Sequence, residues 1–140
     1  MLLKDKSIFI VEDNAQNRVI FQMALIRHGA IVNFERWGSG SLFQLNNLSR
    51  VDLIILDLML AEGVSGFEIY DKIRALPKFD NIPIIAVSAM DPAIALPQVS
   101  SKGFAGFIVK PIDKHLFGQQ LAKIIEGTPV WYLGDRNYSV

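Results

Sequence analysis

The chain of 140 residues contains no cysteine, which excludes disulfide bonds, thiolate catalysis and zinc sites built from cysteine. Its 14 basic and 14 acidic residues cancel, which argues against a protein dedicated to nucleic acid or to membrane surfaces. No apolar run approaches the roughly 20 residues that a membrane span requires. The segment 1–6 carries charges where a signal peptide would be apolar. We therefore expect a cytoplasmic protein.

Apolar residues make up 51% of the chain and charged residues 20%, a composition typical of a globular domain with a hydrophobic core. We expect a single domain over residues 1–126, followed by a C-terminal tail over residues 127–140 that departs from the preceding pattern. The tail contains Trp131, Tyr132 and Tyr138. Such aromatic residues would pack either on the domain or on a second copy of the chain, so a homodimer is one expectation.

Short apolar runs alternate with segments of helical period along the chain. The predicted strands lie near residues 6–11, 30–34, 51–56, 82–87 and 106–109. The predicted helices lie near residues 15–28, 38–47, 66–76, 91–101 and 113–126, and the spacing of Ala15, Val19, Met23 and Ile26 indicates the first. This alternation predicts an α/β fold with a doubly wound, five-stranded parallel sheet covered on both faces.

Polar residues follow the predicted strands at the points where the apolar runs end. Glu12 and Asp13 follow the first run, Asp57 the third, Ser88 the fourth and Lys110 the fifth. The carboxyl ends of parallel strands share one edge, where ligands of such sheets bind. Three converging carboxylates are costly unless a cation and a phosphoryl group complete the cluster, which points to acyl-phosphate chemistry on Asp57.

Four segments in this order carry a family resemblance: 11–14 (Val-Glu-Asp-Asn), 55–58 (Ile-Leu-Asp-Leu), 87–89 (Val-Ser-Ala) and 109–111 (Val-Lys-Pro). With them the chain resembles, over about residues 6–126, the receiver domain of two-component response regulators, in its single-domain, CheY-like form. The resemblance implies a flavodoxin-like (βα)5 fold. It also implies phosphorelay signalling, in which the receiver is a self-phosphorylating switch and not a turnover enzyme.

The resemblance implies that Asp57 accepts a phosphoryl group from a histidine kinase or a phosphotransfer protein. Glu12, Asp13, Asp57 and the backbone carbonyl of Met59 would hold Mg²⁺, with Mn²⁺ as an alternative. Magnesium suits such a site because it prefers oxygen ligands and keeps several waters. The output would be an altered surface for an unidentified downstream protein, without direct contact to nucleic acid or membrane.

The same resemblance implies that Ser88 and Lys110 contact the phosphoryl group and that the Lys110–Pro111 bond is cis. Ser88 and Phe107 would form the switch, because an aromatic side chain on the fifth strand turns inward as the hydroxyl moves. Phenylalanine lacks the hydroxyl that tyrosine would supply at this position. Phe107 would therefore fill the inner pocket without a polar anchor.

Three features depart from the family pattern. The loop after Asp57 has one additional residue near Ala61, which we expect to be absorbed after Leu60. Pro97 falls within the predicted fourth helix, where an interior proline costs about 3 kcal/mol, and a place in the first turn is the favoured interpretation. Met59 and Met90 flank the expected water route, and thioethers orient water poorly, so we expect slow autodephosphorylation.

Other functions fit these residues less well. A haloacid-dehalogenase-type hydrolase requires a second acidic residue at the position of Met59. A flavodoxin-like flavin-binding protein is disfavoured because Glu12 and Asp13 would repel the phosphate of the flavin. The fold could also serve as a pseudo-receiver, a protein-interaction module that is never phosphorylated. His28 and His115 are expected to be structural or exposed, and residues 38–41 to form a turn with a helix cap.

Overall fold

The computed structural model describes residues 1–134, which form a parallel sheet with helices on both faces. The strands are β1 (Ser7–Val11), β2 (Ile31–Glu35), β3 (Leu53–Leu56), β4 (Ile84–Ser88), β5 (Gly106–Val109) and β6 (Val130–Tyr132). The helices are α1 (Ala15–Ile26), α2 (Ser41–Asn47), α3 (Gly66–Arg74), α4 (Pro92–Lys102) and α5 (Phe117–Ile125). The strand order is β2-β1-β3-β4-β5-β6, with every pair parallel, so the flavodoxin-like α/β fold is confirmed.

The sheet has six strands over the described residues, one more than the five that the sequence predicts. The additional strand, β6, lies inside the segment 127–140 that was expected to be a tail, and it pairs with β5. Three residues are too few to show a strand period, which explains the difference. Trp131 and Tyr132 belong to β6. Tyr132 packs against one of the two cores, the Trp131 side chain is 44% exposed, and Tyr138 lies outside the described residues.

The four inner strands are completely buried, and this is why they read as continuous apolar runs in the sequence. Their side chains alternate between two cores, one on each face of the sheet. Phe9, Ile54 and Phe107 contribute to one core, and Ile10 and Ile55 to the other. The more polar β2 lies at the edge, as expected. Within residues 1–134, no helix combines the length and the apolar character needed to cross a bilayer.

Helix α1 forms where it was predicted, but the residues that indicated it face solvent. Ala15 is exposed, and Val19, Met23 and Ile26 are 56%, 70% and 51% exposed. The buried residues are instead Phe21, Ala24 and Leu25. Apolar residues surround this helix on nearly every side, so helical spacing alone does not select the face that packs on the sheet.

Two later helices differ in detail from the sequence prediction. Helix α4 begins with Pro92 in the first position and continues through Pro97, which is therefore interior and not in the first turn as favoured. Pro97 lies on the exposed side, where water can solvate the carbonyl that it leaves without a helical partner. Helix α5 begins at Phe117 and not at Asp113, whose carboxylate accepts hydrogen bonds from the backbone of a preceding turn.

Gly66 places the start of α3 directly against the backbone of the strand-end residue Asp57. A Cβ atom at position 66 would lie 2.1 Å from the carbonyl oxygen of Asp57. The Gly66 N–H donates to the Leu58 carbonyl at 3.1 Å, and the Ser65 hydroxyl caps the helix by accepting from the Phe67 N–H. The glycine therefore sets the distance between α3 and the end of β3.

We expect Gly66→Ala to lower the free energy of unfolding by about 3 kcal/mol, because the added methyl group forces backbone atoms apart. Gly63→Ala is the control. Nothing lies within 4 Å of that added methyl group, but φ is +73°. The control should lose about 1 kcal/mol through backbone strain alone. Urea denaturation measures both, and equal losses would contradict the close approach.

Candidate functional site

The predicted polar residues meet at the carboxyl edge of the sheet. Glu12 and Asp13 follow β1, and Asp57 follows β3, which is the neighbour of β1. One carboxylate oxygen from each of these three residues lies within 4.8 Å of the others. The Asp57 N–H donates to the Val11 carbonyl at 3.2 Å, so the sheet ladder itself holds the two strand ends in register.

The side chain of Lys110 enters this cluster from the loop after β5. Its Nζ lies 2.8 Å from Asp57 Oδ2 and 2.5 Å from Glu12 Oε1. Both carboxylates are buried, with 1% of the Glu12 side chain and 7% of the Asp57 side chain exposed. Attraction at these distances is far stronger than in water because the surroundings are poorly polarisable. The ammonium group therefore compensates two charges that would otherwise oppose folding.

Burial and charge act in opposite directions on these groups. Burial raises the pKa of Glu12 above its usual 4.5, although hydrogen bonding and attraction from Lys110 partly oppose this shift. Burial would lower the pKa of Lys110, but the attraction of Asp57, together with hydrogen bonds to Asp57 and Glu12, outweighs it and raises that pKa. The raised pKa of Glu12 means that its ionisation opposes folding, so this contribution favours the folded state at low pH and is lost as the pH rises.

The loop after β3 closes over the cluster. The Asp13 carboxylate accepts from the Ala61 N–H at 2.7 Å, and Asp57 Oδ1 accepts from the Met59 N–H at 3.1 Å. A short 3-10 turn, Ala61–Gly63, begins only after Leu60. The chain from Asp57 to Leu60 therefore stays close to the sheet edge. The role of the Met59 carbonyl as a metal ligand stays a prediction.

Ser88 and Phe107 occupy adjoining inner strands beside the cluster. Ser88 is fully buried, its Oγ accepts from the Met90 N–H at 3.3 Å, and its carbonyl accepts from the Lys110 N–H at 2.9 Å. Phe107 is fully buried in the core on the α3 and α4 side. The Lys110–Pro111 bond is cis, as the resemblance implies. Ser88 is thus joined directly to the loop of Lys110, and the switching roles stay predictions.

Glu35 and Arg18 also support this edge and were not identified from the sequence. The buried carboxylate of Glu35 accepts from the N–H groups of Gly38 and Gly40 and from the Ser41 hydroxyl, so it holds the turn before α2. A carboxylate at the end of β2, just before glycines and serines, was the available signal. The Arg18 guanidinium donates to the Glu12 carbonyl at 3.0 Å, and no spacing rule indicates that contact.

The donor set fits a divalent cation. Glu12, Asp13 and Asp57 supply three carboxylates, and Lys110 supplies one ammonium, which leaves two formal negative charges in the cluster. Oxygen-only ligands in this number suit magnesium. The fold and the site together define a class: a doubly wound α/β protein whose acidic pocket, with one lysine, lies at the carboxyl edge of the sheet.

The sequence model of the response regulator receiver domain family matches residues 8–122, and the chain belongs to this family. It is 32% identical over 130 residues to the polar-differentiation response regulator DivK of Brucella anthropi, covering 93% of this chain and 98% of DivK. It is 29% identical over 119 residues to the transcriptional regulatory protein AfsQ1 of Streptomyces coelicolor, covering 85% of this chain but 51% of AfsQ1. It is 26% identical over 145 residues to histidine kinase 2 of Arabidopsis thaliana, covering 89% of this chain and 12% of the kinase.

Solved structures show the same fold. Chemotaxis response regulator CheY4 of Vibrio cholerae matches with a TM-score of 0.77 at 21% identity, over 86% of this chain and 99% of CheY4. A response regulator receiver protein from Pseudomonas putida matches with a TM-score of 0.73 at 24% identity, over 87% and 96% of the two chains. Phosphorylation of an aspartate by a histidine kinase is the general function of the family, and its members generally bind Mg²⁺ at an acidic pocket.

We expect Lys110→Met to lower the free energy of unfolding by about 3 kcal/mol at neutral pH without added metal, because it leaves two buried carboxylates unpaired. Lys102→Met is the matched control. Lys102 lies 2.8 Å from Asp71, but both side chains are well exposed, so the loss should stay below about 1 kcal/mol. Chemical denaturation with a metal chelator present measures both variants. Similar losses would show that burial does not govern the strength of the Lys110 pair.

Proposed function

We propose that this protein is a phosphorelay receiver in which Asp57 accepts a phosphoryl group from a phosphohistidine on a histidine kinase or a phosphotransfer protein. The observation that carries the proposal is the buried Asp57 carboxylate, within 2.8 Å of Lys110 and clustered with Glu12 and Asp13. A carboxylate nucleophile needs charge compensation on the attacking and the transferred oxygens. This cluster provides a fixed ammonium and oxygen ligands for a cation.

The transfer forms a bond from an Asp57 carboxylate oxygen to phosphorus and breaks the phosphorus–nitrogen bond, leaving the electron pair on the donor imidazole. Glu12, Asp13, Asp57 and the Met59 carbonyl would hold Mg²⁺, with Mn²⁺ as an alternative. When bound, the ion neutralises charge on the phosphoryl oxygens. Lys110 pairs with one phosphoryl oxygen, and the Ser88 hydroxyl donates a hydrogen bond to another.

The proposed output follows from the position of Ser88. Its carbonyl is bonded to the Lys110 N–H, so both phosphoryl-contacting residues lie on connected backbone. A shift of Ser88 toward the phosphoryl group would alter its loop and the packing of buried Phe107. This shifts the population between two arrangements of a protein-binding surface. In this proposal the protein acts as a switch and not as a turnover enzyme.

For the downstream partner, we propose only the class of molecule. The chain spans about half the length of AfsQ1 and about an eighth of histidine kinase 2. What those proteins do as a whole is therefore not carried over. We propose a protein as the effector, with no direct contact to nucleic acid or membrane. A cytoplasmic location and a homodimer stay predictions. The division into a domain at 1–126 and a tail at 127–140 also stays a prediction, although β6 within that tail pairs with β5.

A pseudo-receiver, the alternative, would keep the fold as a constitutive protein-interaction module. It has no need of a lysine that pairs with two buried carboxylates, since removing all three charges would cost less than burying them. The retained Glu12, Asp13, Asp57, Ser88 and Lys110 favour a working phosphoacceptor.

Incubation with acetyl phosphate and Mg²⁺ should add one phosphoryl group to the protein, measured by intact mass. Asp57→Asn should abolish the gain, because a neutral amide is a poor nucleophile and a poor cation ligand. Asp52→Asn is the matched control, since Asp52 precedes the same strand at its opposite end. It should leave the gain intact. A wild-type protein that acquires no phosphoryl group under these conditions would refute the proposed function.

The phosphorylated protein should lose its phosphoryl group slowly, because Met59 and Met90 present thioethers where a polar side chain would orient the attacking water. We expect the double variant Met59→Asn, Met90→Glu to hydrolyse faster, on the order of tenfold. The time course of mass loss after removal of the phosphodonor measures this. Met23→Asn, on the exposed side of α1, is the control and should decay like the wild type. Faster decay in the wild type than in the double variant contradicts the hypothesis.

A further inference from the structure

Strand β6 covers the edge of the sheet that lies nearest to Lys110. It runs parallel to β5, with Val130 opposite Gly106, Trp131 opposite Phe107 and Tyr132 opposite Ile108. Phe107 is the proposed switch residue, and Lys110 follows β5 directly. The C-terminal segment therefore lies beside the part of the sheet that carries the cation of the site.

Strand β5 is adapted to this neighbour. A Cβ atom at Gly106 would lie 2.4 Å from the Val130 carbonyl oxygen, closer than two such atoms can approach. Glycine usually weakens a strand interior, and its presence in a buried strand marks close approach of another backbone. Gly106 is thus the position at which β5 receives β6.

The chain beyond β6 continues alongside the Lys110 loop. Residues 109–113 and 132–134 together line an open cavity of about 390 Å³. A Cβ atom at Gly134 would lie 3.4 Å from the Val109 side chain, which is ordinary van der Waals contact. The loop of Lys110 is therefore bounded by β4 on one side and by the segment 132–134 on the other.

We propose that β6 with Leu133 and Gly134, the β6 segment, is a positioning element of the phosphoacceptor site that fixes where Lys110 is presented. On the β4 side, a hydrogen bond of 2.9 Å from the Lys110 N–H to the Ser88 carbonyl holds the Lys110 backbone. Without β6, β5 would become the edge strand, and its carboxyl end would be supported from one side only. This inference rests on the proposed function, because it concerns the residue that pairs with the phosphoryl group.

The two halves of the site depend on β6 to different extents. The carboxylates follow β1 and β3, which are separated from β6 by other strands. Lys110 alone among these charged groups follows the strand that β6 pairs with. Loss of β6 should therefore weaken binding of a phosphoryl-like anion without weakening binding of the cation, because a displaced ammonium no longer competes for Glu12 and Asp57. General destabilisation of the fold would weaken both.

The test uses full-length variants that release β6 from either side. Gly106→Ala introduces the obstructing methyl group on β5. The triple variant Val130→Gly, Trp131→Gly, Tyr132→Gly removes the side chains and the strand propensity of β6. Trp131→Val is the control, because it removes the exposed aromatic ring but keeps a residue that favours strands. Amide hydrogen exchange should be fast over 130–132 and at the β5 amides that face β6 in both disrupted variants, with β1 and β3 still protected.

Calorimetric titration then measures two affinities for each protein: Mg²⁺ alone, and beryllium fluoride, a phosphoryl mimic, at saturating Mg²⁺. In the disrupted variants we expect beryllium fluoride to bind more weakly, on the order of tenfold or more, because a displaced Lys110 no longer pairs with the anion. Mg²⁺ should bind at least as tightly as in the wild type, because the carboxylates lose a competing ammonium group. Trp131→Val should match the wild type in both titrations.

Three outcomes overturn the inference. Unchanged beryllium fluoride binding with β6 demonstrably released removes the positioning role while the proposed function stands. A parallel loss of Mg²⁺ affinity, or loss of protection in β1 and β3, shows that β6 serves only overall stability. A wild-type protein that binds no beryllium fluoride and accepts no phosphoryl group fails the proposed function itself, and the positioning role falls with it.

Discussion

The ammonium group of Lys110, held between two buried carboxylates, is the interaction on which the site depends. Glu12 and Asp57 directly follow the neighbouring strands β1 and β3. The hydrogen bonds between these strands bring the two carboxylates close together. Their mutual repulsion and their burial would both oppose folding without a cation. The lysine compensates this cost only in part, because Asp13 adds a third carboxylate and two formal negative charges stay uncompensated. The resting site is therefore an electrostatically incomplete arrangement that favours a divalent ion.

Most of this site could be predicted from the sequence because the parallel topology places the ends of all strands at one edge of the sheet. A buried parallel strand reads as an apolar run, and the first polar residue after it must lie at the carboxyl edge. Asp57, Ser88 and Lys110 were located in this way without knowledge of any distance. This rule does not predict where each side chain points. It identifies the strand end but not the hydrogen bonds of each side chain, which is why the bond from Arg18 to the Glu12 carbonyl was missed.

The errors in predicting the fold share another physical origin. Helix α1 is apolar on several sides, so its period indicated a helix but its packing face was decided by Phe21 and Leu25 against the sheet. Strand β6 has three residues, and its pairing depends on Gly106, about 25 positions earlier in the chain. Helix α5 begins only after a turn in which the Asp113 carboxylate accepts hydrogen bonds from two backbone N–H groups. Each of these outcomes is set by contacts between segments distant in sequence or by single hydrogen bonds, neither of which hydrophobic periodicity encodes.

The two halves of the site differ in the length of the edge strand that lies beside them. The acidic residues follow β1 and β3, and β1 is completed on its outer side by the five-residue edge strand β2. Ser88 ends β4 and Lys110 follows β5, and β5 is completed on its outer side only by the three-residue, partly exposed β6. A phosphorylation switch needs some residues that hold the phosphoryl group in place and others that change position. Without such a change, the added charge would not alter the population of conformations. In the proposed function, the carboxylates and Lys110, which β6 would hold in place, would form the fixed set, and Ser88 with Phe107 would form the set that changes position.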